Sequence, residues 1–303
     1  MSKKGVSFIG FLLTFVGSIL FSTKAIIVKK AFADTSVDAL TLLVLRMVFS
    51  LPFFLVAAFF ISSKTGNVRL TKKQWLQLIV LGISGYYLSS YFDFTGLQYI
   101  SAGLERLILF LYPTFVVIIN KVAFKQPITR KQMLALLLTF AGIGIAYFNE
   151  MHYDTENPYF FWGSLLILAC SVTYAIYIAG SGKVIPYIGA AKFAAYSMLI
   201  ATAVLFIHFI VRADYSSVTE ARGMWVYGLL LAILATVIPT FMLSAGLSRI
   251  GANNVAIISG IGPVSTILQA HWILNEPIHT AQIIGTLMVI TGVLLIGWNT
   301  KRA

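Results

Sequence analysis

The chain of 303 residues contains one cysteine, Cys170, so an intramolecular disulfide and a cysteine metal cluster are both excluded. Charge is scarce as well. Asp, Glu, Lys and Arg make up 11% of the residues, against about 25% in soluble proteins, too few to coat two water-facing domains. His152, His208, His271 and His279 have no metal-ligand spacing, and neither an HExxH nor a GxSxG motif is present. Gly180 to Lys183 hints at a phosphate loop, but its first glycine would fall at Tyr177 and its Ser/Thr at Val184. Without a nucleotide-binding domain, ATP cannot power this chain directly, and no selectivity-filter sequence argues for a channel.

What the chain does have is apolar length. Hydrophobic residues make up 59% of it, and ten spans of ~20 residues fit the length with room for loops. Apolar runs fall near 8–28, 38–61, 75–94, 102–120, 132–148, 160–179, 192–210, 224–242, 254–271 and 282–298. Helix is the expected conformation, because lipid offers backbone groups no water to bond. The start, Met1 to Lys4 before an apolar run, reads as an uncleaved first helix, since Lys24 interrupts that run and many spans follow. The net charge of +12 reports orientation and not nucleic acid, because the basic residues are scattered through short loops. With the N-terminus inside, one side holds Lys3, Lys4, Lys64, Arg69, Lys72, Lys73, Lys121, Lys125, Arg130, Lys131, Lys183, Arg249, Lys301 and Arg302. The other holds Lys29, Lys30, Arg212 and Arg222. The positive-inside rule then predicts both termini in the cytoplasm of a multi-pass cytoplasmic (inner) membrane protein.

The chain also repeats itself. At an offset of 150, Trp75 meets Trp225, Gly96 meets Gly246, Pro113 meets Pro263, Pro127 meets Pro277, Gln132 meets Gln282 and Gly142 meets Gly292. Upstream the offset drifts to about 153, where Gly10 meets Gly163. Five spans per copy is an odd number, so the second copy must be inverted. The segment KVAFKQPITRKQ (121–132) carries four basic residues, and its copy HWILNEPIHTAQ (271–282) carries no Lys or Arg. The expected division is a first five-helix repeat at 1–148, an outer loop at 149–159, and a second, inverted repeat at 160–303. Inverted repeats of this kind belong to alternating-access carriers with a site between the halves.

The pattern Pro113, Gln126-Pro127, Gln132, Gly142, with its copy Pro263, Asn275-Glu276-Pro277, Gln282, Gly285, Gly292, resembles the EamA-type repeat of the drug/metabolite transporter superfamily. The resemblance covers essentially the whole chain as two tandem copies. It implies ten helices, cytoplasmic termini, a central cavity and transport of small organic solutes, often as export. Gln126 departs from the usual Glu, and Ala135 from a frequent Gly.

Ionised residues inside a span cost ~2.5–3.5 kcal/mol each and need a reason. Lys24, Arg46, Asp93, Glu105 and Arg106 are such residues, all placed in the outer half of the first repeat. One reading is a vestibule in which Arg46 and Lys24 bind a carboxylate, with Glu105 as the proton-coupling candidate. The other is a structural ion-pair set, Glu105 with Arg46 or Lys24 and Asp93 with Arg106. Asp93 and Arg106 are expected to reach interfacial water. Tyr87, Tyr91, Tyr112 and Tyr174 are the aromatic lining candidates, and Tyr112 shares a helix face with Glu105, seven residues away. Pro113 and Pro263 are the hinge candidates.

The expected function is secondary transport, export favoured, of an amino acid or other carboxylate-bearing solute. The alternatives are an efflux carrier for lipophilic cations, with Glu105 and the tyrosines as a cage, and, from another class, a non-transporting membrane receptor or enzyme. No cofactor or metal is expected. The partners are a small-molecule substrate and the lipid bilayer, not nucleic acid. A homodimer is compatible with this reading, but a monomer suffices for transport.

Overall fold

A computed structural model describes residues 8–62, 70–153, 157–212 and 223–298. Of the residues behind the orientation argument, Lys3, Lys4, Lys64, Arg69, Arg222, Lys301 and Arg302 lie outside these. The described residues are helices joined by short turns, with no strand among them. The helices are α1 (Phe8–Asp34), α2 (Ala39–Ser62), α3 (Lys72–Gly82), α4 (Ser89–Gly96), α5 (Ala102–Leu109), α6 (Tyr112–Phe124), α7 (Arg130–Tyr153), α8 (Phe160–Ile188) and α9 (Ala190–Arg212). They continue with α10 (Met224–Ala232), α11 (Ile238–Ser259), α12 (Ile261–Leu274) and α13 (Thr280–Trp298).

Seven segments are long and apolar enough to cross a membrane: Phe8–Asp34, Ala39–Ile61, Ala102–Phe124, Arg130–His152, Phe160–Ile188, Ala191–Arg212 and Met224–Leu243. Their outward faces expose large apolar side chains such as Phe59, Phe148 and Ile210, a surface that suits lipid and not water. The protein is a multi-pass membrane protein.

Local devices recur at matched positions. A π-helical turn, Ile83–Leu88, joins α3 to α4, and a second, Ile233–Val237, joins α10 to α11. In the second, the Thr236 hydroxyl donates back five residues to the Leu231 carbonyl, using a carbonyl freed by the wider winding. α6 and α12 end on left-handed residues, Lys125 (φ 54°) and Asn275 (φ 58°). After each, the next backbone N–H returns to a carbonyl six residues back, Gln126 to Asn120 and Glu276 to Ala270. Two further breaks match, at Phe110–Leu111 just before Pro113 and at Gly260 just before Pro263.

Tertiary contacts are reciprocal in the same way. A Cβ on Gly142 of α7 would stand 2.7 Å from the Gly285 carbonyl of α13, and one on Gly292 of α13 would stand 2.8 Å from the Ala135 carbonyl of α7. Shifting both members of the first contact by the repeat offset produces the second. Likewise Gly96 packs on the Gly163 carbonyl at 3.0 Å, and Gly246 faces the Gly10 carbonyl at 3.4 Å. α1 therefore packs among α10 to α12, while α8 packs among α3 to α6. Each half has lent its first helix to the other.

α11 is helical from Ile238 to Ser259, yet both of its ends meet the same turn of α1. A Cβ on Gly17 would lie 3.1 Å from Met242 Cβ, and the Ser18 hydroxyl is 2.9 Å from that of Ser259. A straight helix would hold Met242 and Ser259 about 25 Å apart, so α11 doubles back sharply between them. Ile250, packed on Gly10 at the far end of this contact, marks the reversal.

Glycine makes these approaches possible, and this is testable. Gly142→Val drives a side chain into the Gly285 backbone, while at Gly144 a Cβ meets nothing within 4 Å. Overpacking costs roughly 1–3 kcal/mol, so Gly142→Val should lower the melting temperature of the purified protein by several degrees, and Gly144→Val should leave it in place. Equal melting temperatures for the two variants would contradict the α7–α13 packing.

Candidate solute-binding site

Three helical segments converge on one ammonium. Lys24, on α1, places Nζ 2.6 Å from Asp93 Oδ2 and 3.7 Å from Glu105 Oε1. Asp93 sits on the last turn of α4 and Glu105 on the first turn of α5, and the Leu97–Ser101 turn between those helices brings the two carboxyl groups to one place. Ser101 sets the start of α5, its Oγ accepting from the Leu104 N–H at 3.0 Å. Among the described residues Lys24 is the only cation within 4 Å of either carboxylate. In an apolar interior such an attraction is unscreened, and removing one member leaves a buried charge uncompensated.

Arg106 belongs to a different set of contacts. Its Nε donates to Thr266 Oγ1 on α12 at 3.0 Å and its Nη2 to the Phe21 carbonyl on α1 at 3.3 Å. These contacts correct two expectations. Asp93 pairs with Lys24 and not with Arg106, and neither Asp93 (1% exposed) nor Arg106 (2% exposed) reaches the surface. The reason is the helix exchange: α8 and α12 cover the face of α4 and α5 that a simple consecutive bundle would leave open.

Arg46, buried on α2, has no such partner. Its Nη2 donates to Ser90 Oγ at 2.9 Å, and its guanidinium lies 5.0 Å above the Phe94 ring. No carboxylate stands within 4 Å among the described residues, and Nε is buried with no acceptor. The structural alternative that paired Glu105 with Arg46 is thereby corrected in favour of Lys24. Lys24 and Arg106 balance Asp93 and Glu105 in formal charge, so Arg46 is the excess cation beside the cluster. A buried guanidinium without an anion is costly, and its planar fork matches a carboxylate.

The tyrosines divide into two groups. Tyr112 packs edge-on to Tyr174 with centroids 5.0 Å apart, Tyr174 stacks on Tyr177 at 5.9 Å, and Tyr177 meets Tyr86 at 5.1 Å with hydroxyls 3.2 Å apart. This row links α6, α8 and the first π-helical turn. Tyr177 lies directly on Gly85, where a Cβ would clash at 2.2 Å. Tyr87 and Tyr91 join His208 of α9 instead, the Tyr87 hydroxyl lying 2.9 Å from Nδ1. The face expected to be shared by Glu105 and Tyr112 is interrupted, because α5 ends at Leu109 and α6 begins at Tyr112. Pro113 was the signal for that break, since it cannot continue a hydrogen-bonded helix across it. Asp93 enters the site as part of the ion cluster and not as an interfacial charge, and His208 joins the site region without any sequence signal for it. Among the described residues no group of three His, Cys, Asp or Glu is placed to hold a metal ion.

At the α5 end of the cluster a cavity of about 350 Å³ is lined by Lys29, Gln98, Ser101, Glu150, Glu276 and Gln282, among others. Glu276 Oε1 accepts from the Ala102 N–H at 3.0 Å and Oε2 from the Gly103 N–H at 3.4 Å. The acid of the Asn275-Glu276-Pro277 motif thus caps α5.

That motif, in place at a junction between the two halves, is matched by a family profile covering residues 8–148 and again 161–298. The chain belongs to the EamA-like transporter family. With it comes membership of the drug/metabolite transporter superfamily. Uncharacterized transporter YcbK of Bacillus subtilis (strain 168) is 27% identical over 93% of this chain and 92% of its own length. Uncharacterized inner membrane transporter YicL of Salmonella typhimurium is 18% identical over 97% and 96%. A protein of solved crystal structure matches 97% of this chain and 99% of its own with a TM-score of 0.63 at 16% identity, which shows the fold alone. Family and relatives point to a transporter and not to an enzyme.

In this EamA-like transporter the Lys24 contact predicts a specific double-mutant result. Lys24→Met strands two carboxylates, and breaking a buried pair costs about 3–5 kcal/mol, so its melting temperature should fall sharply. Asp93→Asn in the same chain should restore part of that loss. Additive losses in the double variant would show that the two side chains do not interact.

Proposed function

We propose that this transporter moves a small carboxylate-bearing solute, an amino acid first among them, by alternating access between two inverted five-helix repeats. The observation that carries the reading is Arg46: a buried guanidinium with Nε unsatisfied and no carboxylate within ion-pair distance, beside an otherwise balanced cluster. A solute carboxylate is the anion that this geometry lacks. The aromatic row Tyr112, Tyr174, Tyr177 and Tyr86 supplies apolar wall close by, and Tyr86 lies within electrostatic reach of Arg46.

The ten-span count draws support from three segments beyond the seven most apolar ones. The 72–96 run is interrupted only by its π-helical turn, the return leg of α11 runs into α12 as one crossing in the way α5 runs into α6, and α13 is a shorter apolar helix. The inverted relation draws support from the reciprocal α7–α13 contacts and the matched breaks near Pro113 and Pro263. In this proposal those breaks are the hinges. The excess of Lys and Arg in one set of loops supports cytoplasmic termini, and the proposed location is the cytoplasmic (inner) membrane. Export is the proposed direction, and a single chain carries the complete path.

Glu105 is the proposed proton-coupling group. It is fully buried and shares its counter-ion with Asp93. Glu105→Gln should abolish any dependence of flux on an imposed pH gradient, and a preserved dependence would remove Glu105 from coupling. The cation-efflux alternative would require Lys24 to leave both acids, because the carboxylates that would cage a cation already hold its ammonium.

Ligand-induced thermal stabilisation tests the anion site. A ligand at a hundred times its Kd adds roughly 2.7 kcal/mol, so amino acids or related carboxylates should raise the melting temperature of the wild type and fail to do so in Arg46→Ala. Stabilisation by organic cations alone, or an undiminished carboxylate shift in Arg46→Ala, would overturn the assignment.

A further inference from the structure

Glu276 links parts of the chain that have no sequence proximity. It follows the left-handed cap at Asn275, and its carboxylate accepts the first two N–H groups of α5, at Ala102 and Gly103, 174 and 173 residues away. The helix dipole favours an anion at this end. Lys29 of α1 fastens the same turn by donating to the Ile100 carbonyl at 2.9 Å. Gly103, having no side chain, allows the Gln282 amide to close over it, since a Cβ there would sit 2.1 Å from Nε2. These contacts stand between a cavity and the buried charges. The 350 Å³ cavity lies on one side. On the other, within one helical turn of Ala102, lie Glu105 and Arg106.

The corresponding position of the other repeat is Gln126, which keeps the left-handed cap before it but is exposed and uncharged. The two ends of the molecule therefore differ: one carries an acid engaged on a helix start, the other an exposed amide.

We propose that the cavity is the outer vestibule of the transport path and that Glu276 is a positioning residue that latches its floor. By holding the start of α5, Glu276 keeps Glu105 and Arg106 sealed from that mouth, and its release admits solute between vestibule and charged cluster. The proposal rests on the reading that solute passes through that cluster, and the vestibule would hold the same carboxylate-bearing solute.

The native thiol provides the test. Cys170 is the single cysteine of the chain, is 3% exposed, and lies within electrostatic reach of Asp93, Lys24, Glu105 and Arg106. A membrane-impermeant thiosulfonate reagent added to right-side-out vesicles reports opening of the outer mouth alone. A hydrogen-bonded carboxylate is worth enough that Glu276→Ala should accelerate Cys170 labelling from the outside by about tenfold or more. Glu276→Gln, whose amide oxygen still accepts but carries no charge, should fall between wild type and Glu276→Ala. Wild-type protection in Glu276→Ala, or acceleration that is equal from inside-out vesicles, overturns the latch. Should Glu276→Ala fail to fold, an unchanged labelling rate in Glu276→Gln overturns it equally. Labelling needs no flux and no ligand. Loss of carboxylate stabilisation would therefore defeat the transport reading without touching this result, and the reverse also holds.

Discussion

The Lys24 ammonium, held between Asp93 and Glu105 in an apolar interior, is the constraint that the rest of this structure serves. Charges placed where lipid and packed side chains exclude water must be neutralised locally. Satisfying one cation with two acids draws α1, α4 and α5 to a point. Arg106 then bonds Phe21 of α1 and Thr266 of α12, the latter tying the same point to the second repeat. The cluster thus does two things: it binds helices that lipid alone would not hold together, and it leaves Arg46 beside it as an unbalanced positive charge.

The scaffold that allows this is an exchange of first helices between halves. α1 lies on α10 to α12 and α8 on α3 to α6, with glycines at the crossing points so that backbones nearly touch. Between apolar helices in lipid, close packing supplies the attraction that the hydrophobic effect supplies in water. The approach of Gly142 to Gly285 recurs as that of Gly292 to Ala135, so this packing device stabilises the fold twice. The charges break this symmetry. Lys24 corresponds to Tyr177, and Arg46 corresponds approximately to Ser197, whose buried hydroxyl has no partner. One half carries the electrostatics, and both halves supply the aromatic wall, an arrangement that suits a binding site at an interface between halves.

Much of the helix plan was legible because it is local. Apolar run lengths placed the helices, and the proline pair at 113 and 263 marked real breaks. The π-helical turns at 83 and 233 obey the same offset of 150, though nothing in composition announced them. What the sequence concealed was partnership. Periodicity assigns Asp93 and Arg106 to faces of their own helices but says nothing about which helix covers those faces, so both were expected near water and both are buried. Tyr87 and Tyr91 read as lining residues together with Tyr112 and Tyr174, yet they turn toward His208, for which nothing local in the sequence signals a partner. Glu276 read as a motif residue in a loop, and its hydrogen bonds to α5 required the two halves to be assembled before they could be seen.

The central claim is that an unbalanced buried guanidinium selects a carboxylate for passage, and substrate charge tests it most directly. Liposomes containing this protein alone should take up or release an amino acid that stabilises it and, once leak through protein-free liposomes is subtracted, should discriminate strongly against the methyl ester of the same amino acid, which carries no anion. Equal flux of acid and ester would contradict the account, because Arg46 would then contribute nothing to selection.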